Sequence, residues 1–115
     1  MDDTKEKLAE IARLGRYAKT RRNDFSSSSP CDWSPHVIVD PETGLPFSDA
    51  SAWQLICKQL DESPELFHEV RLRKPPGQIA FESVLTLPSH DRVYIKVQLF
   101  QGKAYGRSFH LSTKE

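Results

Sequence analysis

The chain has little that would staple, anchor or charge it. It holds two cysteines in 115 residues, Cys31 and Cys57, and its formal charge balances at zero. Two cysteines and no secretory leader do not make a disulfide framework, and a reducing cytoplasm is the expected compartment. No run approaches the roughly 18 apolar residues of a membrane span, so a soluble protein without a membrane partner is expected. No glycine-rich loop of the phosphate-cradling kind is present, which argues against a nucleotide enzyme. Cys31, His36, Cys57, His68 and His90 lack the paired spacing of a zinc site, so no metal or other cofactor is expected. Cys57 shares an apolar stripe with Trp53 and Leu60, a poor place for a nucleophile. No internal repeat appears.

What is present is segregated charge. Residues 1–22 carry seven basic side chains against four acidic ones, residues 23–67 carry Lys58 against eight acidic ones, and residues 68–110 carry seven basic against three acidic. A nucleic-acid site on an otherwise neutral protein has this distribution, although many folds separate charge without such a purpose.

The chain is organised around residues 92–112, "RVYIKVQLFQGKAYGRSFHLS". Val93, Ile95, Val97 and Leu99 alternate with Tyr94, Lys96 and Gln98, which is the period of a strand. Gln101-Gly102 supplies a two-residue turn, and a second extended run follows from Ala104 to Leu111. Strict pairing outward from that turn sets Phe100 opposite Lys103, Gln98 opposite Tyr105, Lys96 opposite Arg107 and Tyr94 opposite Phe109. One face is then polar and cationic and the other is the core side. In this register His110 lies on the core side, and a single bulge near Gly102 or Gly106 brings it round to Tyr94 and Lys96.

Upstream, residues 4–20 read as a helix with Leu8, Ile11, Ala12 and Ala18 on one stripe, weakened by about 1 kcal/mol at Gly15. Residues 23–35, with Ser26 to Ser29 and two prolines, read as a linker. Residues 36–39 read as an edge strand ended by the turn "DPETG". Ser48 or Asp49 caps a core helix with Trp53, Ile56, Cys57 and Leu60 inward, which stops at or before Ser63 because Pro64 follows. Leu66, His68, Val70 and Leu72 share one parity of a strand and Glu69, Arg71 and Arg73 the charged outer one. A second strand carries Ile79, Phe81, Ser83, Leu85 and Leu87 inward. The expected architecture is α+β, an antiparallel β-meander of about four strands with helices packed on one face. Its expected parts are a basic N-terminal helix at 1–22, a Ser/Pro-rich linker at 23–35 and an α+β domain at 36–115.

The stretch "LFHEVRLRKPPG", followed by "VYIKVQL" and "GRSFH", resembles the C-terminal half of MqsR-type toxins, the RelE-like mRNA-cleaving ribonucleases of bacterial toxin-antitoxin pairs. The resemblance covers residues 66–112 and is closest at "VYIKV" and "SFH". It implies that Tyr94 matches a tyrosine implicated in catalysis, that His110 takes the place of a basic active-site residue, and that Lys96 matches a lysine of the same strand. For an upstream lysine and glutamine of the family two alignments compete: one uses Lys58 and His68, the other places His68 at the lysine. Asp91-Arg92 stands where the family has "GQ", and residues 1–35 have no counterpart. The resemblance further implies a metal-independent endoribonuclease that cuts RNA by attack of the ribose 2′-OH on the adjacent phosphorus, with a protein antitoxin as partner.

Such a site needs a base, an acid and cations. His110 titrates near neutrality, Arg107 has the planar fork for a phosphate, Lys96 adds a point charge, and Tyr94 assists proton transfer or stacks on a base. The bland reading makes Lys96 and Arg107 solvated sheet residues, Tyr94 a surface aromatic and His110 a satisfied core or edge histidine. His68, Lys74, Gln78, Arg71 and Arg73 are candidate RNA contacts, and equally ordinary polar groups of strands and turns. The rival function is a non-catalytic module that binds RNA or protein with the same sheet.

Overall fold

The computed structural model describes residues 3–23, 32–73 and 76–112. Acidic Asp3 and Glu6 open helix α1 (Asp3–Gly15), where they complement the helix dipole, and Leu8, Ile11, Ala12 and Leu14 face inward. The helix ends at Gly15 and not at Thr20 as the periodicity suggested. Its last carbonyls are taken by side chains instead of further helical turns: the Thr20 hydroxyl donates to Leu14 O at 2.6 Å and Arg21 Nη1 to Gly15 O at 3.1 Å.

Gly15 has a packing reason. A Cβ there would stand 2.9 Å from Trp53 Cε3, so the missing side chain lets α1 dock closely on the second helix. That helix, α2 (Asp49–Glu62), starts at a reciprocal cap in which Ser48 and Ser51 exchange hydrogen bonds, and it buries Ala52, Trp53, Ile56, Cys57 and Leu60. Helix α1 shares one core with the sheet, because Leu8, Ile11 and Leu14 pack in the cluster that includes Phe81, Val93, Ile95 and Phe109.

The sheet contains the expected antiparallel meander, β3 (His68–Arg71), β4 (Ile79–Thr86), β5 (Arg92–Phe100) and β6 (Lys103–Leu111). It is mixed and larger than expected. Two dipeptide strands, β1 (Arg21–Arg22) and β2 (Asp32–Trp33), both pair parallel with the outer edge of β6, giving the order β1-β6-β5-β4-β3 with β2 also on β6. They occupy backbone groups that an edge strand would otherwise leave open. Of the expected linker, residues 24–31 lie outside the described residues, while Asp32 and Trp33 belong to the sheet. Residues 36–39 make no edge strand. Pro35–Val37 is a 3-10 turn, and Val39 forms a single bridge to Pro46.

The parity assumed for β3 is reversed. Phe67 is the buried anchor of that stretch, whereas His68 and Val70 pair with Glu82 and Ala80 on the face turned away from the helices. A 3-10 turn at Pro64–Leu66 precedes the strand and rotates it relative to a continuous extended run. Among the described residues no helix is long and apolar enough to cross a membrane.

Trp33 joins the N-terminal segment to the hairpin. Its ring lies over Gly106, where a Cβ would come within 2.4 Å of Trp33 Cζ3, and its centroid is 5.6 Å from those of both Trp53 and Phe109. Gly106→Ala is therefore expected to displace the ring and lower stability by about 1–3 kcal/mol, read as an earlier urea midpoint together with a changed tryptophan emission. An unchanged midpoint would remove this account of Gly106.

Candidate active site

The hairpin turn is Gln101-Gly102, with φ of 51° and 73°, and both positive values suit the tight two-residue loop. From the turn outward, Phe100 faces Lys103, Gln98 faces Tyr105, Leu99 faces Ala104 and Val97 faces Gly106, as strict pairing requires. The register then shifts between Lys96 and Val97. Arg107 is an extra residue on β6, so Lys96 faces Ser108, Ile95 faces Phe109 and Tyr94 faces His110. The expected pairs Lys96–Arg107 and Tyr94–Phe109 do not form. The bulge lets fully buried Phe109 enter the core and turns His110 to the opposite face.

That face brings together Tyr94, Lys96 and His110. The Tyr94 and His110 ring centroids are 5.2 Å apart, and Lys96 Nζ lies 5.7 Å from the Tyr94 centroid. The Tyr94 phenol donates a hydrogen bond to Glu82 Oε2 from β4. Burial, followed by the hydrogen bond and the negative charge of Glu82, pushes the phenol well above its ordinary value. His110 sets Nδ1 2.9 Å from Leu111 O and Nε2 3.4 Å from Asp32 Oδ2. His68, directly across from Glu82, continues the same row on β3.

Arg107 is placed differently from a solvent-facing phosphate clamp. It is 3% exposed, its Nε and Nη2 both donate to Gln98 Oε1, the first at 2.8 Å, and its guanidinium carbon lies 5.4 Å from the Tyr105 centroid. Gln98, 1% exposed, donates in turn to Gln78 Oε1 at 2.7 Å. Arg107 and Gln78 are thus linked through one buried amide. Arg71 lies exposed on the edge strand β3 and Arg73 just past its end, neither among the close contacts of the Tyr94 cluster, and Lys74 lies outside the described residues.

Sequence reading passed over Glu82, Asp32 and Gln98. Glu82 had a signal, since it falls on the outward parity of β4 between inward Phe81 and Ser83. Gln98 was placed on the right face, yet nothing in the pattern marked it as buried. Asp32 had none, because its partner comes from the far end of the chain. Among the described residues no three His, Cys, Asp or Glu side chains converge to hold a metal ion.

A separate cavity of about 640 Å³ opens on the helix side, lined by Gly15, Arg16, Arg21, Trp53, Cys57 and Asp61 among others. Its lining shares no residue with the Tyr94 cluster. Cys57 reaches that cavity with its thiol aimed at Ala12 O, 3.4 Å away, and burial pushes its pKa up, away from thiolate chemistry.

The raised phenol pKa of Tyr94 has a consequence for stability. The native state keeps a proton that the unfolded chain loses near pH 10, so stability falls as pH rises above that value. The wild type should lose stability between pH 9 and 11 more steeply than Tyr94→Phe, and urea midpoints measured at both pH values check this; parallel losses would count against it. No family model, curated protein or solved structure matches this chain, so the geometry carries the functional reading.

Proposed function

We propose that the chain is a metal-independent endoribonuclease of toxin-antitoxin type, acting on RNA at the outer face of the β5–β6 hairpin. The observation that carries the reading is the bulge at Arg107, which sets His110 beside Tyr94 and opposite it in the ladder, with Lys96 on the same face. An imidazole, a phenol and an ammonium on one side of a sheet supply the proton donors and the cation that transesterification of a phosphodiester requires.

In the proposed reaction the ribose 2′-oxygen attacks the adjacent phosphorus and gives up its proton to a base on this face. The bond from phosphorus to the 5′-oxygen breaks, and an acid protonates the departing oxygen. The products are a 2′,3′-cyclic phosphate and a 5′-hydroxyl. His110 serves as the acid or base, Lys96 offsets charge on the phosphoryl oxygens, and Tyr94, bonded to Glu82, orients the substrate or stacks on a base. Arg107, tied to Gln98, keeps the bulge in shape and contributes its charge from within the sheet. A protein antitoxin as partner rests on the resemblance of "VYIKV" and "SFH" to the toxin family.

The rival reading is an RNA-binding module without catalysis, favoured by the tie of Arg107 to Gln98, which takes that fork away from a phosphate. Wild type and His110→Ala, incubated with a mixed RNA, separate the two. The expected outcome is fragments ending in 2′,3′-cyclic phosphate whose rate of formation drops about 100-fold or more in the variant. Retention of intact RNA that weakens with salt, with no fragments from either protein, would establish the module instead.

A further inference from the structure

We propose that Asp32 is a positioning residue for His110, delivered to the site by strand β2; the inference deepens the ribonuclease reading and rests on it. The segment in question looks like linker in the sequence. In the fold it lies parallel to β6, with Asp32 beside Ser108 and Trp33 beside Phe109. This register puts Asp32 Oδ2 3.4 Å from His110 Nε2.

The position is held from the neighbouring residues. Trp33 Nε1 donates to Asp49 Oδ1 at 2.9 Å, its ring packs between Trp53 and Phe109, and Ser34 N donates to Phe109 O at 2.8 Å. A two-residue strand has little pairing of its own, so these contacts fix where Asp32 stands. Its side chain is 67% exposed and that of His110 31% exposed, leaving the pair open to a substrate.

Hydrogen-bond bookkeeping then assigns a role. His110 Nδ1 faces the Leu111 carbonyl at 2.9 Å, and a carbonyl only accepts, so Nδ1 carries a proton. Nε2 faces a carboxylate, which when ionised also only accepts. A proton on Nδ1 leaves Nε2 as the nitrogen that meets a substrate, and Asp32 stands on that side of the ring. The separation of 3.4 Å is longer than a made N–H···O bond of about 2.9 Å, so Asp32 orients the ring without closing Nε2 to an incoming oxygen.

The other titratable or charged groups around the ring are Tyr94 and Arg92 from the same face of β5, Lys96 across the Tyr94 ring, and Glu82 from β4 through the Tyr94 phenol. The carboxylate within salt-bridge distance of His110 Nε2 is that of Asp32, so a change at Asp32 reads out on that nitrogen.

The experiment compares the His110 ring-nitrogen NMR resonances of the full chain at one pH for wild type, Asp32→Asn and Asp32→Glu, together with RNA cleavage by the same three proteins. The Nε2 resonance should shift in Asp32→Asn and return toward wild type in Asp32→Glu, and kcat should fall several-fold in Asp32→Asn with KM unchanged and recover in Asp32→Glu. An Nε2 resonance identical in wild type and Asp32→Asn would overturn the proposal. Should Asp32→Asn disturb the tryptophan signals, added salt with the wild type replaces it: an Nε2 resonance that moves with salt supports the pair, and one that is indifferent to salt overturns it. Because the ring is observed directly, a wild type that cleaves no RNA yet shows the Nε2 difference removes the ribonuclease reading and keeps the contact.

Discussion

One extra residue in β6 decides what both faces of the sheet carry. Side chains in a strand alternate, so an unbroken ladder from the Gln101-Gly102 turn would aim Phe109 outward and His110 into the core. The core has no use for a histidine there, since the space against Val93, Ile95 and Phe47 is filled by apolar atoms. Inserting Arg107 corrects both placements at once. The hydrophobic demand of Phe109 and the chemical opportunity of His110 are consequences of the same backbone irregularity, which makes the site as robust as the core beneath it.

The insertion leaves an arginine outside the regular ladder, and the fold accommodates it with polar partners. A buried guanidinium needs acceptors, and Gln98 offers a carbonyl oxygen that takes two of its donors while the amide nitrogen goes on to Gln78. Beside it, Gly106 leaves room for Trp33, which brings the N-terminal segment against β6. The hairpin is therefore braced from both sides: by an amide network on the outer face and by an indole on the core side. The second brace reaches the Tyr94–His110 pair through β2, where Asp32, next to Trp33, faces His110.

Much of this was legible in the sequence, for reasons that can be named. The period-two patterns of residues 79–87 and 92–99 and the Gln-Gly turn fixed two strands and their faces, and the i, i+3, i+4, i+7 stripe with Ser48 before it fixed α2. Those signals are local. The bulge was legible only as a condition, since glycines at 102 and 106 permit an irregularity without saying where it falls. Residues 64–73 misled because Phe67, not Leu66 or His68, is the buried one, and a 3-10 turn resets the phase in a way that periodicity does not record. Asp32 and Trp33 were read as linker because a dipeptide strand has no period, and its partners in β6 lie more than 70 positions away.

The charge count of the sequence also changes meaning once the fold is known. Residues 68–110 look strongly basic, but Arg107 is spent inside the sheet and Arg71 lies on the far edge strand, and two carboxylates, Glu82 and Asp32, stand next to Tyr94 and His110. The face is mixed and not uniformly cationic. Affinity for a phosphate backbone grows with the number of cations free to displace counterions, so a mixed face carries less of that electrostatic attraction than the count of basic residues suggests. Proton transfer asks for the opposite arrangement, in which donors and acceptors stand in pairs that set each other's protonation. Tyr94 with Glu82 is such a pair, and Asp32 stands 3.4 Å from His110 on the strand beside it.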